Sequence, residues 1–225
     1  MIFRLQSTPS TMRDAAALAA QGHPHGTVVV ADRQTAGIGR HGHAWHSQPD
    51  GGLYMSVILR LAAPGPTVTM ALGLAVQQAV SETEEVSPDL RWPNDVMVND
   101  RKLAGIMVQA ADTALIAGIG VNVNQATFPA DLKDLATSLK IETGHQHSIE
   151  ALLHRIIAEA LRYTRLPKPE ILRRFESRST YARGKHVIVD GHLQGITAGL
   201  DPNGFLLLQT PTGIEKIITG GVRPC

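Results

Sequence analysis

The sequence predicts an α+β fold with a small all-β barrel appended at its C-terminal end. Three observations carry that expectation. Up to about residue 178, helix-spaced apolar runs are interleaved with short β-branched runs. From Tyr181 onward the chain becomes a series of short strands separated by glycine turns. At 225 residues, 43% hydrophobic and 18% charged, it is long and apolar enough to bury one core or two. The expected division is 1–180 for the larger domain and 181–225 for the barrel.

Each element has a local reason. Ser10–Ala20 opens on Ser-Thr and continues in alanines, a capped helix. Glycines at 22 and 26 end it, and Thr27–Ala31 (TVVVA) is a buried strand. A glycine-rich loop, Gln34–Gly42, leads through polar residues to a strand at Leu53–Leu61. Thr67–Val80 carries apolar residues at helical spacing. Leu90–Val98 and Lys102–Gln109 read as two strands joined by a tight Asn-Asp-Arg turn, and Thr113–Asn122 is a further strand. Ile149–Tyr163 is an amphipathic helix, with a second at Lys168–Arg178. Lys185–Asp190, His192–Leu200, Gly204–Gln209 and Ile214–Thr219 are the barrel strands.

Several function classes are disfavoured by composition. Lys+Arg is 21 and Asp+Glu 20, a net charge of +1, without the basic excess of a nucleic-acid-coating protein. Cys225 is the sole cysteine, which excludes an internal disulfide and a multi-cysteine zinc site. Met1–Ser10 has no signal-peptide core, and no apolar run approaches the ~20 residues of a membrane span. A reduced, soluble, cytoplasmic protein is expected, with no membrane partner.

The glycine loop is the first chemical signal. Gly37–Gly42 (GIGRHG) matches the GxGxxG spacing after a predicted strand. A dinucleotide fingerprint also needs a helix directly after it and an acid about 20 residues on. The next residues are instead HAWHSQPDGGL, rich in turn formers, and Leu61–Pro64 carries no acid. The Rossmann reading is therefore rejected. A loop of exposed N–H groups with a guanidinium at Arg40 remains, suited to a phosphate or acyl-phosphate; a surface turn is the competing reading.

Arg91–Gly105 (RWPNDVMVNDRKLAG) is the second signal. Pro93 interrupts the strand just before Asn94 and Asp95. Seven residues after Asp95, across the predicted turn, Lys102 can share a cleft with it. Turn formation by Asn94 and Asp95, and a solvated lysine, are the competing readings.

Together these segments resemble the biotin protein ligases, also called biotin–[acetyl-CoA-carboxylase] ligases. The resemblance rests on Gln34–Trp45 (QTAGIGRHGHAW), Arg91–Val96 (RWPNDV), Arg101–Gln109 (RKLAGIMVQ) and Gly118–Asn124 (GIGVNVN), in the family's order. Ser10–Thr11 fits its Ser-Thr-Asn element. The resemblance implies a mixed-sheet catalytic domain flanked by helices, like class II synthetases and lipoate ligases, with an SH3-like C-terminal barrel. It further implies that biotin and ATP, with Mg²⁺, form biotinyl-5′-AMP. Biotin is then passed to a lysine of a biotin carboxyl carrier protein of acetyl-CoA carboxylase or a related carboxylase.

Carried over residue by residue, the resemblance makes Lys102 the lysine that meets both the biotin carboxylate and the α-phosphate, and Arg40 the arginine that holds the adenylate. Ser10, Thr11 and Gln34 hydrogen-bond the biotin head group, with the backbone of Gly37, Ile38, Gly39 and Arg40 along its tail. Gly118 and Gly120 let the strand approach biotin closely, and Gly105 is a further biotin-binding position. Trp45 offers a face to adenine, and Asn94 and Asn122 contact the nucleotide. Asp95, a further catalytic candidate, can orient Lys102, touch Mg²⁺ through water or accept the proton of the incoming lysine, with positioning and electrostatics favoured over full deprotonation.

Two departures from the family pattern stand out. Ile38 occupies an arginine position of the glycine loop, and Met12 replaces the asparagine after Ser-Thr. An active enzyme with altered affinity is expected. His41, His43 and His46 are read as pH-dependent positive charge near the phosphates and not as a metal site. Ser10 lies so near the start that no DNA-binding domain is expected, hence no repressor activity and no nucleic-acid partner. A monomer or weak homodimer is expected. The alternatives are a lipoate or octanoate ligase or transferase of the same catalytic fold, and a binding protein with weak catalysis.

Overall fold

A seven-stranded sheet and a five-stranded sheet carry the chain. The computed structural model describes residues 1–61, 65–83, 86–112 and 114–225. Thr113, the expected first residue of one strand, lies outside the described residues, as do residues 62–64 of the acid-free Leu61–Pro64 stretch. The larger sheet comprises β1 (Ile2–Thr8), β2 (Val28–Gln34), β3 (Gly52–Leu59), β4 (Asp89–Arg91), β5 (Asp95–Val98), β6 (Arg101–Ala111) and β7 (Ala114–Asn122). Their spatial order is β1-β2-β3-β7-β6-β5-β4. β1 and β2 pair in parallel and the other neighbours are antiparallel, so the sheet is mixed, as expected.

Helices cover both faces of this sheet. α1 (Thr11–Ala20) packs on one side, closing a small core of Ala15, Ala19, Val29, Ile58 and Ile116. On the other side lie α2 (Pro66–Thr83), α4 (Ile149–Tyr163) and α5 (Lys168–Ser177), after the short α3 (Leu139–Thr143). With both faces covered, β3 is buried along its whole length, which explains its unbroken apolar run. On α4, Leu152, Leu153 and Ile156 fall at helical spacing onto the core, each worth roughly 1.5–3 kcal/mol of apolar burial. Ser148 Oγ accepts from Ala151 N at 3.2 Å and caps that helix, whereas the Ser10 side chain makes no such bond at α1.

The C-terminal sheet is antiparallel throughout. It contains β8 (Arg183–Val189), β9 (Leu193–Leu200), β10 (Leu206–Thr210), β11 (Gly213–Ile217) and β12 (Val222–Pro224), in the order β11-β10-β9-β8-β12. Its Val187, Leu206, Leu208 and Val222 belong to the same apolar cluster as Val96, Leu103 and Ile156 of the larger unit. Trp92, 2% exposed, donates from Nε1 to Gly204 O at 3.0 Å and ties the two sheets together.

Three differences from expectation have physical causes. Leu90–Val98 is two strands and not one, because the chain turns at Trp92–Pro93 (a cis bond) and pairs Arg91 back against Asp95. β1 lies outside the expected elements; it is a half-exposed edge strand defined only by pairing with β2 across α1. α3 and β12 are too short to carry a periodic signal.

Candidate active site

The site begins at a two-residue turn. Asn99 and Asp100 both have positive φ (50° and 59°), the I′ geometry that joins β5 and β6 with matching twist. The turn brings Lys102 back opposite Met97, two residues from Asp95, and its long side chain places Nζ 2.6 Å from Asp95 Oδ1. Arg91, four residues before Asp95, reaches its Oδ2 at 2.7 Å. Asp95 is 14% exposed and Arg91 16%, so the carboxylate is held largely out of water between two cations.

Burial alone would raise the pKa of Asp95. The neighbouring charges of Lys102 and Arg91 outweigh it and hold the carboxyl below the usual carboxylate range. The linkage has a definite sign. A group with a depressed folded pKa contributes stability that is present above its unfolded value, about 3.9, and lost as pH falls through the folded value. Asp95→Asn should therefore narrow the stability gap with the parent as pH drops below about 4. Urea melts of both proteins from pH 3 to 7 check this; a gap independent of pH would contradict it.

Next to this pair the sheet is bare. Gly105 and Gly120 stand directly opposite each other in β6 and β7, with Gly118 two residues along β7. A Cβ on Gly120 would lie 2.5 Å from the Trp45 indole, and one on Gly105 2.8 Å from it. A Cβ on Gly118 would lie 2.7 Å from Met12 Sδ. The glycines make a floor on which side chains of this chain rest. Trp45 covers it, with Lys102 Nζ 5.4 Å from the ring centroid. Trp45 Nε1 has no hydrogen-bond partner among the described residues.

The glycine loop forms a small hairpin over this floor. Ile38 bridges Ala44, Trp45 N donates to Gly37 O at 2.9 Å, and Gly39 N donates to His43 O at 2.7 Å. One 3₁₀ turn at Arg40–Gly42 forms its tip, and the helix required by a dinucleotide fingerprint is absent after it. Arg40 donates from Nη1 to Asn94 Oδ1 at 3.1 Å and from Nη2 to Thr219 Oγ1 at 3.2 Å. Burial lowers its pKa, while Asp95 and Asp190 act in the opposite direction.

At the far end, Gln34 Oε1 accepts from Thr11 N at 2.9 Å and Thr11 Oγ1 at 3.1 Å. Gln34 Nε2 donates to Ser47 Oγ at 3.3 Å, and Thr11 Oγ1 shares a 2.8 Å hydrogen bond with Ser56. Ser10, Thr11, Gln34, Ile38, Gly39, Arg40, Trp45, Asn94, Lys102, Gly105, Gly118 and Gly120 all line one slot. With Trp45 and Met12 in place its cavity is about 50 Å³, room for a water or two.

Three expected residues stand off the slot surface. Gly37 closes the hairpin base, and Asp95 acts through Lys102. Asn122 is 4% exposed; its Nδ2 donates to Lys102 O at 3.3 Å and its Oδ1 accepts from Gln125. His41, His43 and His46 are exposed, and among the described residues no three His, Cys, Asp or Glu side chains are placed to hold a metal. Arg91 is a site neighbour that the sequence does not single out, because only the turn at Trp92–Pro93 brings it beside Asp95. Nor does the sequence single out the apolar lining of Met55, Ile106, Met107 and Ile119, or Thr219, which meets Arg40 across 179 residues of chain.

Comparison with known proteins gives this geometry its context. Residues 3–125 match the biotin/lipoate A/B protein ligase family, and 184–222 match the biotin protein ligase C-terminal domain. The bifunctional ligase/repressor BirA of Bacillus subtilis is 36% identical, the match covering 95% of this chain and 71% of the relative. The biotin–[acetyl-CoA-carboxylase] ligase of Mycobacterium tuberculosis is 33% identical, over 95% and 85%. Among solved structures, the biotin protein ligase of Aquifex aeolicus in complex with biotin and ATP superposes with a TM-score of 0.88 at 32% identity, covering 100% of this chain and 99% of that one. Across both sheets and all four motifs of the slot, the chain belongs to the biotin/lipoate A/B protein ligase family, among its biotin protein ligases.

Proposed function

We propose that this protein activates biotin with ATP and transfers it to a lysine of a biotin carboxyl carrier domain. One observation carries the reading: two cations, Lys102 and Arg40, converge at one end of a slot floored by Gly105, Gly118 and Gly120. Cations beside a floor without side chains suit an acid that packs closely against backbone and whose carboxylate must meet a phosphate. The RWPND and RKLAG segments favour biotin over lipoate or octanoate.

In the first step a biotin carboxylate oxygen attacks the α-phosphorus, the bond to the β-phosphate bridging oxygen breaks, and pyrophosphate leaves. Lys102 would meet the carboxylate and the α-phosphate, and Arg40 the adenylate. In the second step a neutral carrier lysine amine attacks the acyl carbon, the acyl–oxygen bond breaks, AMP departs and the amine's proton passes to solvent. Asp95 is a poor base, since its neighbours hold it below the ordinary carboxylate range. Its role is to position the Lys102 side chain, while Asn122 holds the Lys102 carbonyl from the neighbouring strand β7. Magnesium would enter on the phosphates of ATP, because the Asp95 carboxylate beside the slot is already engaged by two cations. Residues 181–225 would form the SH3-like unit of a monomer or weak homodimer working in the cytoplasm.

The test is incorporation of labelled biotin into a purified carrier domain, omitting ATP, Mg²⁺ and acceptor in turn. Transfer requiring all three supports the reading; transfer of lipoate in preference to biotin would replace it. Arg40→Gly should still form the adenylate but release it about tenfold faster, since one charged contact is lost at a partly exposed site. Biotinyl-AMP appearing in solution without acceptor measures that release; unchanged retention would remove Arg40 from this role.

A further inference from the structure

Trp45 packs one end of the loop onto the glycine floor, but the loop's tip is poorly anchored by packing. His41, Gly42, His43 and Ala44 are all exposed, and its internal bonds close the hairpin without fixing it to anything else. Arg40 provides two outward ties. Its Nη1 reaches Asn94 of the larger sheet, and its Nη2 reaches Thr219 Oγ1, in the turn between β11 and β12 of the C-terminal sheet.

That turn is itself pinned. Asp190, at the corner between β8 and β9, accepts from Gly221 N at Oδ1, 2.7 Å away, and donates from its own N to Gly221 O at 3.0 Å. Gly220 has φ of 132°, and a Cβ there would lie 2.7 Å from Asp190 Oδ2, so the turn depends on glycine at that position. The Asp190 carboxylate also places negative charge within electrostatic reach of Arg40. Thr219 is exposed, so its hydroxyl adds little to the fold while being well placed on the guanidinium.

We propose that Thr219 is a positioning residue for Arg40: through this hydroxyl the C-terminal sheet latches the glycine-rich loop over the slot and sets how long the acyl-adenylate is retained. The retention half rests on the ligase reading above; the latch itself does not. The sheet's two contributions differ in kind. Asp190 shapes the turn, and Thr219 makes the contact.

The experiment compares Thr219→Val, which keeps the shape and removes the hydroxyl, with Thr219→Ser, which keeps the hydroxyl. Limited trypsin digestion of the ligand-free protein reads the latch directly, because cleavage after Arg40 needs its guanidinium to leave Asn94 and Thr219. Thr219→Val should be cut at Arg40–His41 about fivefold faster, and should release biotinyl-AMP without acceptor about fivefold faster. Biotin-dependent pyrophosphate exchange at saturating ATP should stay within about twofold, and Thr219→Ser should match the parent in every assay. Parent-like cleavage of Thr219→Val overturns the latch. Faster cleavage with unchanged release overturns its role in retention, and a serine variant as impaired as the valine one assigns the effect to packing. If the parent forms no biotinyl-AMP, the ligase reading falls with the retention half, and the cleavage comparison still decides the latch.

Discussion

Lys102→Ala is expected to lower biotinyl-adenylate formation by about 10²–10³-fold, the usual cost of removing one preorganised charge partner from a developing oxyanion. Lys102 stands at the only point where the glycine floor, Asp95 and Trp45 all meet one ammonium among the described residues. Its loss removes the cation nearest the expected junction of carboxylate and phosphate. The fold should survive, because Asp95 keeps Arg91 at 2.7 Å and is not left as an unpaired buried charge. Biotin-dependent pyrophosphate exchange measures the first step, and a thermal melt alongside separates chemistry from folding. Full ligation by the variant would refute the assignment.

Gly120→Ala is expected to weaken biotin binding by about 10–100-fold with little change in melting temperature. The new methyl would lie 2.5 Å from the Trp45 ring, closer than real Cβ contacts come. Trp45 sits on a half-exposed loop and can swing outward, so the protein without ligand tolerates the methyl. A ligand lying on the same floor has no such escape. The slot as it stands has about 50 Å³ free, so a bicyclic ligand enters only if Trp45 and Met12 give way; these two side chains occupy the space over Gly120 and Gly118. Titration calorimetry with biotin decides: parental affinity would mean that biotin does not lie over Gly120.

Much of the site was legible because its spacing is local. Asp95 and Lys102 are separated by one tight turn, which brings them near each other on neighbouring strands, Lys102 opposite Met97 and Asp95 opposite Gly105, within reach of a long side chain. Gly105, Gly118 and Gly120 were marked by the family resemblance, and a glycine within a strand fits close approach of a ligand or another chain segment. Arg91 was equally local and was missed, since its place before Pro93 hid the turn that brings it beside Asp95. β1 escaped notice because a half-exposed edge strand has a weak pattern until its partner is known.

The sequence by itself determined the α+β class, its mixed sheet and most of the helices and strands, because helix spacing and turn residues act over short stretches of chain. Only the tertiary structure decided that Gly105 and Gly120 lie side by side, that Trp45 and Met12 rest on the floor, and that Arg40 is shared between Asn94 and Thr219. Those contacts join residues 15 to 179 positions apart, and their formation depends on sheet register and on packing across a common core. The local pattern gives each strand its buried face, but not which distant strand lies beside it or which of that strand's residues it meets.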